Sequence, residues 1–372
     1  MAQEEKRIVL TGGLSGGHVF PLVAVSRAVR DRAGVPSRFL YVGSKGIFEE
    51  TAMKGDGIEA RHILSGKVRR YFSIMNLIDP FKTVIGFIQS LWHLFIFMPD
   101  VVFAKGGAVS VPVCLAARIY RIPYVIHDSD AVAGMASRVL SRHAARIAIA
   151  YPHALTFFPP ERTAITGNPV REELLSGDPN RAGERFKLLP DRPVVLVLGG
   201  SLGAQSLNRA IVRILPNLLR EAQVLHQTGT DKHHDAVSRA GELGIKAGRD
   251  GYHAIPFFHG TDLADAFARA DIVVSRAGAS TIAELAACGK PAILVPLPTA
   301  ANDEQRMNAF EVAKQGGAIV LEEQNLGEHM LFTKIDSILR DPLLRADMSQ
   351  KIRAFYNPQA AVMIADGVLS LC

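Results

Sequence analysis

The sequence contains little cysteine, and none of it is grouped. Cys114, Cys288 and Cys372 form no Cys-X-X-Cys pair and no cluster with metal-ligand spacing. This spacing excludes a disulfide framework and a structural zinc site, and it favours a reducing compartment. The first residues lead directly into a predicted strand without the apolar core of a secretion signal, so we expect a cytosolic protein.

Long apolar runs are also missing. The longest one, roughly residues 83–98, includes Gln89, Ser90 and His93 and falls short of the ~20 residues that a membrane-spanning helix needs. It belongs to a segment, 67–98, that holds the single tryptophan beside phenylalanines and basic residues. This mixture is typical either of a buried helix or of an interfacial patch that contacts anionic lipid. The patch residues would be Arg69, Arg70, Phe72, Phe87, Trp92 and Phe95.

The acidic residue of a dinucleotide-binding motif is absent as well. The first predicted strand, 7–11, is followed by Gly-Gly-Leu-Ser-Gly-Gly-His at 12–18, which is not Gly-X-Gly-X-X-Gly. The second predicted strand, 38–42, runs into Gly-Ser-Lys, so no carboxylate is available for a ribose. Hydride transfer from a dinucleotide is therefore disfavoured.

The charge balance implies an acidic partner. The net charge is +6 and the pI is near 9.3, which suits nucleic acid, anionic lipid or a phosphorylated substrate. No nucleic-acid-binding motif is present. We therefore expect lipid or a phosphorylated substrate rather than nucleic acid.

The order of apolar segments predicts an α/β protein. A chain of 372 residues is long enough for two domains. Apolar strands that alternate with helices indicate parallel sheets covered on both faces. The predicted strands are 7–11, 38–42, 101–104, 123–127, 194–198, 222–228, 272–275 and 292–295, and helices are predicted at 20–32 and 332–355. A segment rich in Pro, Arg and Asp, 159–192, is predicted to join the domains.

Two strands end in glycine-rich turns. The first turn is at 12–17 and the second, Gly-Gly-Ser-Leu-Gly, is at 199–203; each precedes a predicted helix. Backbone N–H groups at such a helix N-terminus form an anion site, so two units of this kind suggest sugar-nucleotide chemistry. His18 would lie in the first turn of its helix, where the dipole disfavours imidazolium and favours a neutral general base. The alternative is a loop histidine that satisfies backbone groups.

A third candidate site follows the predicted strand 272–275. Ser280 or Thr281 can cap the helix that begins there, and its N-terminus suits a diphosphate. Glu284 follows one turn later and can hold ribose hydroxyls, although an acid is favourable in any first helical turn. Gln305, in a polar cluster further on, can read sugar hydroxyls with donors and acceptors.

These motifs resemble those of the MurG family of peptidoglycan N-acetylglucosaminyltransferases. The resemblance spans nearly the whole chain in order: 12–21 (GGLSGGHVFP), 167–171 (GNPVR), 199–208 (GGSLGAQSLN), 275–284 (SRAGASTIAE) and 305–309 (QRMNA). It implies a GT-B fold, with two Rossmann-like domains facing each other across a cleft. The implied domains are 1–165, 166–345 and a C-terminal helix, 346–372, that packs on the first domain.

The resemblance also implies an activity and residue roles. The activity is a metal-independent, cofactor-free, inverting transfer of GlcNAc from UDP-GlcNAc to the C4 hydroxyl of undecaprenyl-pyrophosphoryl-MurNAc-peptide. His18 matches the family's proposed base. The implied donor residues are Ser15, Gly16, Gly17, Asp130, Arg171, Ser201, Phe258, Ala279, Ser280, Thr281, Ile282, Ala283, Glu284 and Gln305. A peripheral location on the cytoplasmic face of the bacterial plasma membrane, in contact with its anionic surface, is implied as well.

The sequence departs from the family pattern in two places. Residues 127–130 read His-Asp-Ser-Asp where His-Glu-Gln-Asn is common, so Asp130 replaces an asparagine near the donor sugar. Glu304 replaces a neutral or histidine side chain beside Gln305. Alternative functions are a glycolipid synthase acting on diacylglycerol, a sugar-nucleotide epimerase, or a non-catalytic lipid- or partner-binding relative. Asp128 and Asp130 are alternative bases to His18.

Overall fold

The computed structural model describes residues 5–13, 16–66, 75–200, 203–259 and 261–372. The chain divides into two compact units. Met1–Val170 and Asn357–Cys372 form the N-terminal unit, and Arg171–Tyr356 form the C-terminal unit. The predicted boundaries after residues 165 and 345 lie somewhat earlier in the chain.

The N-terminal unit is built on a seven-stranded parallel sheet in the order β3-β2-β1-β4-β5-β6-β7. The strands are β1 (Lys6–Thr11), β2 (Ser37–Gly43), β3 (Glu59–His62), β4 (Val101–Ala104), β5 (Tyr124–Asp128), β6 (Arg146–Ile149) and β7 (Thr163–Ile165). In the centre, Val9 of β1 pairs with Leu40 on one side and Val102 on the other. Branched apolar runs such as these suit strands that are buried on both faces.

Helices cover both faces of this sheet. They are α1 (Gly16–Arg32), α2 (Ile47–Gly55), α3 (Met75–Phe97), α4 (Ser110–Ile119) and α5 (Met135–Leu140). Leu94 and Phe97 of α3 pack with residues of α4 against one face. The last helix of the chain, Ala360–Leu369, returns to this unit and packs Ile364 and Val368 with Ile8 and Leu22 on the other face.

The C-terminal unit repeats this layout with a six-stranded parallel sheet in the order β10-β9-β8-β11-β12-β13. Its helices and strands are α6 (Pro179–Phe186), β8 (Val194–Leu198), α7 (Gln205–Glu221), β9 (Gln223–Gln227), α8 (His233–Glu242), β10 (Tyr252–Ile255), α9 (Asp262–Arg269), β11 (Ile272–Ser275), α10 (Ala279–Cys288), β12 (Ala292–Leu294), α11 (Glu304–Lys314), β13 (Ala318–Val320), α12 (Glu328–Arg340) and α13 (Pro342–Arg353). The helix that returns to the N-terminal unit is therefore α14. Two Rossmann-like α/β units confirm the predicted fold class.

The eight predicted strands are confirmed to within one or two residues, and α1 begins four residues earlier than predicted, at Gly16. One prediction was wrong: the helix predicted at 332–355 is two helices, because Asp341 caps α13 by accepting a hydrogen bond from the Leu344 N–H and Pro342 occupies its first position. The segment 159–192, predicted to join the domains, contains the boundary between the two units and also includes strand β7 and helix α6.

Candidate active site

The first glycine turn leaves the end of β1 in a conformation that requires glycine. Gly12 and Gly13 have φ of +151° and +157°. A Cβ on Gly12 would lie 3.0 Å from Cβ of Lys105, and one on Gly13 would lie 2.8 Å from the Tyr41 hydroxyl oxygen. Both the backbone angle and the close approach therefore exclude a side chain. Ser15, a predicted donor residue, lies outside the described residues.

His18 is the third residue of α1, so the structure places it in the first helical turn as predicted. Its side chain is half-buried. The imidazole lies close to Gly107, since a Cβ atom added to that glycine would be 3.9 Å from the Nε2 atom of His18. Burial, and secondarily the positive charge of Lys105, lower the pKa of His18 to about 4. The imidazole is consequently neutral at pH 7 and able to accept a proton. Gly16 and Gly17 are the first two residues of α1 and directly precede His18.

Lys105 is a site residue that the sequence analysis missed. It follows β4 directly, its side chain is buried, and its Nζ donates a hydrogen bond to Ser129 Oγ at 2.9 Å. Burial lowers the pKa of Lys105 to about 8, and the nearby carboxylates of Asp128 and Asp130 partly oppose this shift. The sequence did contain a signal for this residue, because the lysine stands directly between an apolar strand and a Gly-Gly turn. A lysine at that position is expected to be buried, and a buried charge needs polar partners.

Asp128 stabilises the loop that follows β5. Its Oδ1 accepts a hydrogen bond from the Asp130 N–H at 3.2 Å and its Oδ2 accepts one from the Gly134 N–H at 3.0 Å. Both oxygens thus hold the loop after β5, which argues against Asp128 as the base. Asp130 is half-buried on the same loop, beside the residue that Lys105 contacts.

The N-terminus of α10 forms the second candidate site, in the C-terminal unit. Gly278 is the N-cap residue, so Ser280 and Thr281 lie inside the first turn and the prediction that one of them caps the helix was wrong. The side chains of Ala279, Ile282 and Ala283 are buried, which leaves only their backbone for a ligand. The Ile282 N–H already donates to Gly278 O at 3.0 Å. The start of α10 would therefore present backbone N–H groups, rather than these buried side chains, to a diphosphate.

Glu284 and Arg171 come together although 113 residues separate them. Arg171 donates a hydrogen bond from a terminal guanidinium nitrogen to Glu284 Oε1 at 2.8 Å. Both side chains keep part of their surface exposed, 24% for Arg171 and 15% for Glu284. Two predicted donor residues thus share one location beside the start of α10.

The second glycine turn packs against the end of β9. Gly203 has φ of +68°, and a Cβ there would lie 2.1 Å from Thr228 O, so only glycine fits. The Gln227 side chain donates to Gly200 O at 3.2 Å and accepts from the Phe258 N–H at 3.2 Å. The Phe258 N–H is therefore already used, and its ring is buried against Phe186. Ser201 lies outside the described residues.

Gln305 stabilises the loop that follows β12. Its Oε1 accepts a hydrogen bond from the Leu297 N–H at 3.1 Å, and the side chain is half-buried near the start of α11. The residues before α11, Asn302 and Asp303, both have left-handed φ angles of 54° and 57°. Asn and Asp tolerate this conformation better than most residues, so the turn is compatible with its sequence.

Arg276, directly after β11, holds several loops of the C-terminal unit together. Its side chain is 9% exposed and donates to the carbonyls of Val295 and Pro296 and to Ser206 Oγ. It also forms an ion pair with Glu323 at 2.5 Å. A planar guanidinium with several fixed donors suits this task better than an ammonium.

Substituting Arg276 is expected to destabilise this unit. Arg276→Leu would leave Glu323 unpaired and two buried carbonyls without a donor, and should lower the free energy of unfolding by about 2 kcal/mol. Urea unfolding followed by circular dichroism measures this change. Arg249→Leu, at an exposed arginine of the same unit, is the matched control and should have little effect. Equal effects of the two substitutions would contradict this assignment.

Helix α3 has one buried and one exposed apolar face. Ser90, Leu94 and Phe97 are buried, whereas a stripe at helical spacing is exposed. This α3 stripe consists of Phe81, Val84, Ile85, Ile88, Trp92, Phe95 and Ile96, with exposed fractions between 46% and 72%. Trp92 and Phe95 are thus on the surface, as a patch requires, whereas Phe87 is partly buried against the core and its membership of the patch stays a prediction. Arg69, Arg70 and Phe72 lie outside the described residues.

The two units match two known domain families. Residues 8–149 match the glycosyltransferase family 28 N-terminal domain, and residues 194–362 match the glycosyltransferase family 28 C-terminal domain. A MurG crystal structure from Acinetobacter baumannii has 26% sequence identity and a TM-score of 0.75, over 98% of this chain and 99% of that one. Fold and matches together define a GT-B glycosyltransferase.

The family within that class follows from sequence identity. A UDP-N-acetylglucosamine–N-acetylmuramyl-(pentapeptide) pyrophosphoryl-undecaprenol N-acetylglucosamine transferase of Lachnospira eligens is 38% identical over 337 residues, which are 90% of this chain and 92% of the relative. The chain belongs to this family, the MurG family, as its motifs predicted. A UDP-GlcNAc 2-epimerase of Neisseria meningitidis has a TM-score of 0.71 at 12% identity, over 99% of this chain and all of that one. That likeness shows the fold alone.

Proposed function

We propose that this chain transfers GlcNAc from UDP-GlcNAc to the C4 hydroxyl of a lipid-linked MurNAc-pentapeptide, with inversion at the anomeric carbon. The family supports the substrates, because its members are named for this transfer. The single observation that carries the chemistry is the position of His18, a neutral imidazole in the first turn of α1 that lies beside Gly107 and directly after the first glycine turn. A neutral base at that position is what activation of a sugar hydroxyl requires.

The proposed reaction is a single displacement. The C4 oxygen of the acceptor attacks C1 of GlcNAc, the bond from C1 to the UDP oxygen breaks, and His18 accepts the hydroxyl proton. UDP leaves with the electron pair of the broken bond, and its charge is stabilised by backbone N–H groups at a helix N-terminus. The N–H groups of residues 279–281, at the start of α10, are the proposed partners of the diphosphate.

The other donor contacts are proposed from the same geometry. Glu284, oriented by Arg171, accepts hydrogen bonds from the ribose hydroxyls. Gln305 contacts the GlcNAc hydroxyls, and Asp130 accepts a hydrogen bond from a sugar hydroxyl near His18. Ser15, Ser201 and the main chain of Phe258 complete the proposed donor site. A carboxylate at position 130 only accepts hydrogen bonds, so its sugar partner must be a hydroxyl or an N–H.

UDP release by the purified protein tests this function. UDP-GlcNAc is supplied with and without a short-chain analogue of the lipid-linked acceptor, with EDTA present throughout. The expected result is UDP release that depends on the acceptor and yields a disaccharide product. Release with diacylglycerol would indicate a glycolipid synthase, and formation of UDP-ManNAc without acceptor would indicate an epimerase. Donor binding without any turnover would indicate a non-catalytic relative.

The α3 stripe supports a proposal of peripheral docking on the anionic cytoplasmic surface of the plasma membrane. Exposed tryptophan, phenylalanine and isoleucine at helical spacing suit the interface between headgroups and acyl chains. None of the helices in the described part of the chain is both long and apolar enough to cross a bilayer.

Acidic substitutions in the stripe test docking. Trp92→Glu with Phe95→Glu should weaken binding to vesicles containing phosphatidylglycerol by about 100-fold, because two aromatic side chains no longer enter the lipid. Sedimentation with the vesicles measures the binding. The control is Leu243→Glu with Leu343→Glu, two exposed leucines of the C-terminal unit, which should bind nearly as well as wild type. If both pairs bind equally, α3 does not dock.

A further inference from the structure

One buried side chain of the C-terminal unit lies between two segments that carry proposed contacts to the sugar nucleotide. Gln227 is the last residue of β9, which lies between β8 and β10 in the sheet. It pairs with Leu198 of β8 on one side and with Ile255 of β10 on the other. Parallel strands end at the same edge of a sheet. The sheet topology therefore places Gln227 between the second glycine turn, which follows β8, and the segment of Phe258, which follows β10.

Both ends of the Gln227 side chain are hydrogen-bonded. Its Nε2 donates to Gly200 O and its Oε1 accepts from the Phe258 N–H, each at 3.2 Å. These partners fix the orientation of the amide, because a carbonyl needs a hydrogen-bond donor and an N–H group needs an acceptor. Only 6% of Gln227 is exposed, so these two bonds, rather than water, satisfy the amide. The side chain thus joins the two segments directly.

The bond to Gly200 controls the direction of a carbonyl in the glycine turn. The Gly200 oxygen also accepts a hydrogen bond from the Gly203 N–H at 3.0 Å, which closes the turn. Both acceptor positions of this oxygen are thus occupied, and the carbonyl is directed at groups of the protein. A carbonyl oxygen that faced a diphosphate would repel it, whereas backbone N–H groups attract it. Fixing this carbonyl therefore keeps the turn suited to an anionic ligand.

A chain of hydrogen bonds on the other face holds the end of β9 in place. Asn208, near the start of α7, donates from its side-chain amide to Thr228 O at 2.8 Å. Its amide oxygen lies 3.0 Å from Nε2 of His226, and the Tyr252 hydroxyl lies 3.0 Å from Nδ1. Burial lowers the pKa of His226 to about 3, so the imidazole is neutral. Since an amide oxygen only accepts, Nε2 carries the proton and Nδ1 accepts from Tyr252. The chain fixes the strand end from which Gln227 projects.

We propose that Gln227 is a positioning residue for the sugar-nucleotide donor. It keeps the Gly200 carbonyl directed away from the diphosphate, and it fixes the spacing between the glycine turn and the main chain of Phe258. The proposal rests on the proposed function, because it assumes that both segments contact UDP-GlcNAc, and it deepens that function by naming the residue that holds them. Gln227 acts through these segments and does not touch the reacting atoms. Its loss should therefore weaken binding of the sugar nucleotide and leave the displacement itself unchanged.

Substituting Gln227 by methionine removes both hydrogen bonds at nearly constant side-chain volume. The affinity for UDP-GlcNAc should fall by about 30-fold, as expected for two hydrogen bonds of ordinary strength, because the ligand must then order the turn itself. Calorimetric titration without acceptor measures this affinity. In the UDP-release assay KM for UDP-GlcNAc should rise to a similar extent, and kcat should change by about threefold or less. An unchanged affinity, or a lower kcat at constant KM, would overturn the proposal.

Gln223→Met is the matched control, because Gln223 is a buried glutamine at the other end of the same strand, roughly 13 Å away. Its side chain accepts from the Leu189 N–H and donates to the carbonyls of Leu189 and Arg192. Both substitutions should lower stability, which urea unfolding measures. Gln223→Met should nevertheless change the affinity for UDP-GlcNAc by about twofold or less. Equal weakening by the two substitutions would reduce the effect to a loss of stability and overturn the proposal.

Gln227→Glu tests the bond to Gly200 separately. At pH 8 the carboxylate can accept from the Phe258 N–H but presents an oxygen to the Gly200 carbonyl, so the affinity should be as low as in Gln227→Met. Protonation creates an O–H donor, and burial favours the protonated form. The affinity relative to wild type should therefore recover by about tenfold between pH 8 and pH 5. UDP-GlcNAc keeps its charge over this range, because its diphosphate is esterified at both ends. An affinity that stays low at both pH values would overturn the proposal.

The positioning role and the transferase function fail in different measurements. Wild-type affinity in Gln227→Met together with normal UDP release would contradict the positioning role alone. Binding of UDP-GlcNAc that depends on Gln227, without UDP release from any acceptor, would contradict the proposed transfer alone. A wild-type protein that does not bind UDP-GlcNAc would overturn both.

Discussion

Substituting His18 by alanine is expected to lower kcat by about 10²- to 10⁴-fold, the usual contribution of a positioned general base. The affinity for UDP-GlcNAc should remain close to that of the wild type, because the proposed diphosphate and ribose contacts are made by residues 279–284 and Arg171. Steady-state UDP release measures kcat, and calorimetric titration with UDP-GlcNAc measures donor binding.

The control for this substitution is His143→Ala. His143 is an exposed histidine of the same unit, so its removal tests the effect of losing any imidazole. We expect it to leave both kcat and donor affinity unchanged. A wild-type kcat in His18→Ala would remove His18 from the role of base and make Asp130 the next residue to test. A large loss of donor affinity instead would make His18 a binding residue.

The pH dependence follows from the same side chain. The pKa of His18 is lowered to about 4, and the base acts in its neutral form, so activity should persist well below pH 6. An unperturbed imidazole, with its pKa near 6.5, would lose activity between pH 7 and pH 6. The acidic limb of kcat against pH distinguishes these cases, provided that circular dichroism shows the protein to be folded throughout the range.

Lys105→Met is expected to have the second large effect, a loss of about 100-fold in kcat, comparable to removing a fixed charge from a transition-state site. The substitution removes the buried cation that lies beside Ser129 and near Asp130. It should also move the acidic limb to higher pH. The charge of Lys105 lowers the pKa of His18, so without it that pKa rises and more imidazole is protonated at a given pH.

The shift of the acidic limb separates a positioning role from simple loss of structure. Lys105→Arg keeps the positive charge and should leave the limb near its wild-type position, even if the larger side chain lowers kcat. Lys54→Met, at an exposed lysine of the same unit, is the control for loss of charge at a distance and should move neither quantity. A reduced kcat in Lys105→Met with an unmoved limb would mean that Lys105 supports the loop without acting on His18.

The sheet strands were predictable because their signal is local. Four of the strands, β1, β4, β8 and β11, are short and mainly apolar, with two or more β-branched residues or leucines each, and such runs suit strands that are covered on both faces. The glycine turns were equally visible, because each follows a strand directly and precedes a helix. β3 was missed because it is a short edge strand of mostly polar residues, so it lacks the apolar pattern from which the other strands were predicted.

The break between α12 and α13 was missed although its signal was present. Asp341 followed by Pro342 is typical of a helix start, since aspartate caps the free N–H groups and proline fits the first position. The helical periodicity on either side of this pair concealed the break. The composition of α3 likewise does not show which of its two apolar faces the sheet covers, and only the structure shows that Phe87 is partly buried there.

The sequence by itself determined the fold class, the family and the candidate base, because strands, turns and motifs depend on residues that are close together in the chain. Only the tertiary structure decided which distant side chains meet. Lys105 reaches Ser129 because β4 and β5 are adjacent in the sheet, and Arg171 reaches Glu284 across 113 residues. Such pairs depend on strand order and on the direction of each side chain, which local patterns do not specify.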